Sequence, residues 1–319
     1  SLTTGGSTSA ATTPTPTDDS PVSTSVSPTS TSTGVEETDE SGTTTGEPPS
    51  PPVVGPYHEP LVQWELSDPS YEDDDPSLTG DMLEIYFATL RPGGPGMDDI
   101  WFARRGDVTQ PWNPPAPAPG LNTDQRDHTP EVSLDGLAMM LSSTRTSFTF
   151  FDEDVFVSTR PNRDAEWEEP VRVAEMSTPN RDVCPFVTAD GRETYGCTGV
   201  EGFLDLVRFE RDGSGDPWSE PTVIEALQTP GLDCGAWVDA STRAIAFFSD
   251  REGLPGSTDL YVATREDVDQ PFEMPIPLEE LNSPWLDDDP WMSQDGRFVY
   301  FASDRPGTNP QDIYMAERQ

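Results

Sequence analysis

The sequence contains no lysine, two histidines and three cysteines in 319 residues. His58 and His128 have no partners at zinc spacing, and neither a Gly-x-Ser-x-Gly elbow nor a phosphate-binding glycine loop occurs. Zinc chemistry, histidine-based triads and nucleotide-loop chemistry are therefore not expected. No stretch reaches the roughly 18 consecutive apolar residues that a membrane helix needs. The cations are 18 arginines against 59 acids, a formal charge of −41. Such a surface repels phosphate backbones and anionic headgroups, which argues against nucleic-acid or acidic-membrane partners and fits solubility, salt tolerance or calcium.

Composition divides the chain. Residues 1–55 are Ser, Thr, Pro and Gly with a few acids and almost no large apolar side chain. Such a segment buries too little surface to offset its ordering entropy, so it reads as a disordered acidic stalk. Residues 56–319 are aromatic and aliphatic enough for one all-β repeat domain.

In that domain one cassette returns five times: an Asp, a short strand, a polar turn, an aromatic-rich strand, and a further strand opening Asp-aliphatic. The leading aspartates are Asp73, Asp127, Asp182, Asp233 and Asp287, spaced 54, 55, 51 and 54 residues apart. This is the period of propellers with four strands per blade. Asp135-Gly136, Asp190-Gly191 and Asp295-Gly296 supply tight hairpin turns. Apolar runs such as Ile85-Tyr86-Phe87 predict strands buried on both faces, as when a blade is sandwiched between two others.

The connectors repeat as well. Trp112, Trp167, Trp218 and Phe272 stand near a Pro that opens an outer edge strand, where a missing backbone donor costs nothing. Tyr57 to Val62 matches that connector ahead of the first cassette, so the amino-terminal segment is expected to supply the outer strand of the last blade. The fold class is all-β: a five-bladed propeller closed by pairing the ends of the chain, and expected to be a monomer.

The cassette resembles the PD40 repeat, the WD40-like β-propeller repeat of the TolB-like superfamily. The matching pieces are Pro130 to Gly136, Pro290 to Gly296, Ser249-Asp250-Arg251, Ser303-Asp304-Arg305 and Asp312-Ile313-Tyr314, within a likeness covering about Tyr57 to Arg318. It departs in an aliphatic residue where the family has Trp, and in blade 3, which reads Thr198-Gly199-Val200 and lacks the Arg. The resemblance implies an exported bacterial scaffold protein, and the Ser/Thr/Pro start resembles a lipoprotein linker. Localisation is then periplasmic, outer-membrane-anchored or extracellular, with a protein or glycan partner at the cell envelope.

Candidate sites follow from where the repeat is kept and where it breaks. The five leading aspartates recur in every blade and read as architecture, each accepting backbone N–H bonds or pairing with Arg91, Arg145, Arg251 or Arg305. No cofactor is required, although Asp74, Asp75, Asp288 and Asp289 add oxygens on blades that adjoin in the closed ring and are candidate calcium ligands. Phe186, Trp237, Trp291 and Glu131 occupy one variable position and are the candidate ligand contacts, to a sugar ring or a peptide side chain, with inter-blade packing as the competing role. A carboxylate glycosidase needs two acids in distinct environments, and Glu131, Asp239 and Glu201 are the unmatched ones; the expectation is no enzyme. Across the Asp190-Gly191 turn, Cys184 and Cys197 fall opposite one another and are the favoured disulfide, with Cys184–Cys234 as the alternative.

Overall fold

The computed structural model describes residues 55–147, 152–200, 203–251, 254, 256–307 and 310–319. Apart from Gly55, the expected stalk lies outside the described residues, as does Glu201. Each cassette forms one four-stranded antiparallel sheet. Blade 1 is Asp73–Leu78, Glu84–Thr89, Asp99–Arg104 and Ala116–Pro117. Blade 2 is Asp127–Val132, Ala138–Ser143, Asp154–Thr159 and Val171–Arg172. Blade 3 is Arg181–Val187, Glu193–Val200, Phe203–Glu210 and Thr222–Val223. Blade 4 is Asp233–Val238, Ala244–Ser249, Asp259–Thr264 and Ile276–Pro277. In blade 5, Asp287–Met292, Phe298–Ser303 and Asp312–Glu317 are completed by Leu61–Val62, which pairs Leu61 with Met315 and Val62 with Tyr314. The ends of the chain are thus tied together, and His58 N–H donates to the Glu317 carbonyl beside them. No helix of the described residues is long and apolar enough to cross a membrane.

The second strands are buried on both faces, as their unbroken apolar runs predict. The hairpins show the fold overriding residue preference. Gly136, Gly191 and Gly296 adopt positive φ, and Met82 and Thr242 take the same left-handed conformation, at φ 55° each, where blades 1 and 4 have no glycine.

Every innermost strand carries a β-bulge at the same place, between Asp74 and Ser77, His128 and Glu131, Val183 and Phe186, Cys234 and Trp237, and Asp288 and Trp291. The extra residue of each bulge, Asp75, Thr129, Cys184, Gly235 or Asp289, has φ between 45° and 66°. A Pro follows in four of the five blades, where the ladder is interrupted and no donor is missed.

This bulge overturns the expected Cys184–Cys197 disulfide. It places Val183 opposite Cys197 and swings Cys184 off the ladder. Cys197 instead bonds Cys234 of the next blade, with the Cα atoms 5.5 Å apart, and Cys184 is left as a free thiol. The bond therefore cross-links blades 3 and 4 rather than stapling one hairpin.

The leading aspartates are buried beneath arginines. Arg91, Arg145, Arg251 and Arg305 each bridge their aspartate (Asp73, Asp127, Asp233, Asp287), a Ser or Thr hydroxyl, and a leucine carbonyl of the preceding loop. Their guanidiniums also stack on aromatic rings of the same blade. In blade 3, which lacks the Arg, Asp182 accepts from the Thr178 N–H and hydroxyl, and burial pushes its carboxyl upward.

A second arginine set ends the third-strand segment of each cassette, and in blades 1 to 4 it ties that strand to the hairpin and connector of its own blade. Arg105, Arg160, Arg211 and Arg265 donate through Nε to a hairpin carbonyl of their own blade and lie over the connector aromatics Trp112, Trp167, Trp218 and Phe272.

Candidate functional site

The bulges organise the central channel into tiers. At one tier stand Asp75, Thr129, Cys184, Gly235 and Asp289; the next is formed by Ser77, Glu131, Phe186, Trp237 and Trp291. The first tier is acidic. Asp75 accepts a hydrogen bond from the Thr129 N–H at 3.2 Å, and one oxygen of Asp75, one of Asp289 and the Cys184 sulfur all lie within 4.8 Å of one another. Asp74 and Asp288 precede these positions, and the Gln311 side-chain amide donates to Asp288. Burial, and then their mutual repulsion, pushes the Asp74, Asp288 and Asp289 carboxyls well above the usual range. The Cys184 thiol is pushed up by burial and by the same acids. His128 lies 3.2 Å from Glu153 and 3.8 Å from Asp75; burial and Arg126 would lower its pKa, but Glu153 and Asp75 leave it raised.

Of the four calcium candidates, Asp75 and Asp289 converge most closely. Their chemistry suits a hard cation, whereas a thiol beside them does not. We expect Asp289→Asn to raise the thermal midpoint by about 2 °C at pH 7.5 in chelator, since it removes one of several crowded like charges. A calcium-dependent rise of the wild-type midpoint that the variant lacks would instead assign these acids to a cation.

The second tier opens on a cavity of about 330 Å³ between blades 2 and 3. Phe186, Trp237 and Trp291 are 8%, 3% and 4% exposed, so they do not form an open platform at a channel mouth; part of their remaining surface lines this cavity. Trp291 is also held edge-on by Tyr300 at 6.1 Å. Glu131 lies in the cavity wall, accepts a hydrogen bond from the Ser77 hydroxyl at 2.9 Å, and is pushed up by burial to about 8, so it is mostly protonated at neutral pH.

The cavity lies where blade 2 lacks the large side chains that blades 1, 3 and 5 carry at two positions of the second strand; blade 4 lacks them too, with Ala244 and Ala246. At the interface of blades 1 and 2, Glu84 meets Arg160 at 2.6 Å and Tyr86 packs edge-on against Trp167. The same positions at the interface of blades 2 and 3 carry Ala138 and Met140. The smaller alanine and flexible methionine leave space under Arg211 and Trp218, both of which line the cavity. Of these four residues Trp218 is legible in the sequence as a connector aromatic, whereas Ala138 and Met140 are not. Aligning the second strands of the five cassettes sets Ala138 and Met140 apart from blades 1, 3 and 5 but not from blade 4, with Ala244 and Ala246, so the partner blade decides which of the two leaves a cavity.

Of the other unmatched acids, Asp239 accepts from the N–H groups of Ser241, Arg243 and Ala244 at 2.9, 2.8 and 2.6 Å, which makes it the organiser of its hairpin. Among the described residues Glu131 is the sole carboxyl of its tier.

No family model matches the sequence, and no curated protein matches it. Solved structures share the architecture. Zg3597, a family 117 glycoside hydrolase produced by the marine bacterium Zobellia galactanivorans, is 13% identical over 82% of this chain and 89% of its own, with a TM-score of 0.54. The α-L-arabinofuranosidase from Lactobacillus brevis is 14% identical over 81% of this chain and 94% of its own, with a TM-score of 0.52. TolB from Acinetobacter baumannii is 16% identical over 80% of this chain but only 56% of its own, with a TM-score of 0.47. Identities this low speak of a shared fold and no more. The chain is an all-β five-bladed propeller, an architecture it shares with Zg3597 and the α-L-arabinofuranosidase.

Proposed function

We propose that this protein is a non-enzymatic, exported binding propeller that takes a small, largely apolar ligand into the cavity between blades 2 and 3. The observation that carries this reading is the cavity itself, opened where blade 2 carries Ala138 and Met140 and walled by Met139, Met140, Trp218 and Trp237. A concave apolar site with few polar groups is the usual form of a small-molecule pocket. A disulfide between blades suits an oxidising compartment, which supports export.

Titration with octan-1-ol should shift the tryptophan emission, since Trp218, Trp237 and Trp291 all line the cavity. The shift should be lost in Ala138→Phe, which places in blade 2 the side chain that blade 5 carries as Phe298. An unchanged response in that filled variant would move the ligand elsewhere.

A carbohydrate-active reading draws on the raised pKa of Glu131, since a glycosidase acid must hold its proton near neutrality. It also needs a second free carboxylate, and both Asp239 and Asp135, which shares the cavity wall with Glu131, are committed to their hairpins. A panel of 4-nitrophenyl glycosides should show no turnover. Turnover abolished by Glu131→Gln would replace the binding reading with a hydrolytic one.

A further inference from the structure

Resting on that binding reading, we infer that the ligand is an amphipathic monoanion, an apolar body ending in a carboxylate, with the carboxylate held by Arg211. Glu131 sits on the innermost strand of blade 2, whereas Arg211 follows the third strand of blade 3 and Trp218 precedes its outermost strand. The cavity therefore runs from the channel outward between the blades, with a neutral carboxyl at its inner end and a cation farther out.

The register that faces each of Arg105, Arg160, Arg211 and Arg265 differs; Arg265 faces that of Glu193 and Tyr195, although its Nη2 is buried without a hydrogen-bond partner among the described residues. Arg160 is matched by Glu84, and Arg105 approaches the Tyr300 hydroxyl at 3.5 Å. Opposite Arg211 the same register holds Ala138 and Met140, which bring neither a charge nor a hydroxyl. Burial lowers the pKa of Arg211, and the field of the exposed Asp216 offsets this only in part. An arginine keeps its charge, so a ligand anion that enters the cavity meets a cation there.

The guanidinium is also positioned for one. Its Nε donates to the Gly191 carbonyl at 2.7 Å, and its plane lies 3.9 Å from the centre of the Trp218 ring. This hydrogen bond and the stacking hold the side chain while leaving terminal N–H groups for a ligand, the geometry in which arginine binds carboxylates in a planar fork. Met139, Met140 and Val173 supply the wall for an alkyl or aromatic body. Among the described residues Arg211 is the one cation lining the cavity, whose wall also carries Asp135 at the exposed blade 2 hairpin, so a ligand carboxylate is favoured only where it reaches the guanidinium.

The test compares octanoate with octan-1-ol by tryptophan emission and calorimetry. Octanoate should bind about 10- to 100-fold more tightly, the range for a hydrogen bond to a charged group. Ala138→Glu should remove that preference by giving Arg211 the partner that Glu84 gives Arg160, while keeping the arginine and its contact to Gly191. Arg211→Gln should also equalise the two ligands. Equal binding of both by the wild type, or a preference that survives Ala138→Glu, would overturn the anion inference while the pocket stands. Binding of neither would overturn both.

Discussion

The thermal midpoint should be highest near pH 5 and about 10 °C lower at pH 8. Burial raises Glu131 to about 8, Asp312 to about 7, and Asp99 and Asp259 to about 6. In the unfolded chain these acids ionise near pH 4. Between the two values the folded state holds protons that the unfolded state has released, so stability is fully present below the unfolded pKa and declines as pH rises through the folded one. Together the four acids account for on the order of 5 kcal/mol between pH 5 and 8, or about 10 °C for a domain this large.

Other acids set the lower edge. For Glu84 and Asp154, burial is outweighed by Arg160 and Arg172, and their carboxyls sit below the usual range. Their contribution is present above the unfolded pKa and lost as pH falls through the folded one, so the midpoint should drop again below about pH 4. Differential scanning calorimetry from pH 3 to 9 measures the whole profile. Repulsion among surface acids acts in the same direction at high pH, but 0.5 M salt screens it and leaves the buried acids in place. Glu131→Gln should flatten the fall above pH 7. A midpoint that is level or rises from pH 5 to 8 in high salt would show that these carboxyls are not buried as described.

Reduction of the disulfide should lower the midpoint by about 8 °C. The bond joins residues 37 apart in sequence, and loop-closure entropy for that length corresponds to about 4 kcal/mol. Cys184→Ser should leave the unreduced midpoint within about 2 °C of wild type, because that thiol is not part of the bond. Cys197→Ser has a distinct expected outcome. The three sulfurs lie within 4.8 Å of one another, so oxidation of this variant should join Cys184 to Cys234 and recover part of the loss. That oxidation should be slow at pH 7 and faster at pH 9, since burial and the adjacent acids hold the Cys184 thiol in its unreactive protonated form. Peptide mapping under non-reducing conditions decides the pairing, and recovery of a Cys184–Cys197 peptide from the wild type would contradict the inter-blade bond.

The same cysteines mark the boundary of what can be read without coordinates. Counting outward from Asp190-Gly191 treats the hairpin as an unbroken ladder, and that count sets Cys184 against Cys197. One inserted residue shifts the register, and no feature of Asp182-Val183-Cys184-Pro185 taken alone announces it. The repeated Pro in four cassettes was the available signal, since a proline inside an innermost strand requires a break in the ladder. The outer strands, by contrast, were legible through their prolines, because an edge position imposes its requirement on a single residue.

The number of blades, their strand order and the closure through Tyr57 to Val62 were all legible in the chain's residues alone. Periodicity, turn residues and apolar runs are local quantities, and a repeat states each of them five times. It also separated the recurrent aspartates from the variable tier of Glu131, Phe186, Trp237 and Trp291. Which cysteines meet, the burial of the aromatic tier and the cavity beneath Arg211 emerge only once the blades are packed together. These outcomes depend on side chains of neighbouring blades about 50 residues apart facing one another. An alanine or a methionine becomes informative there only when the partner it fails to meet is known.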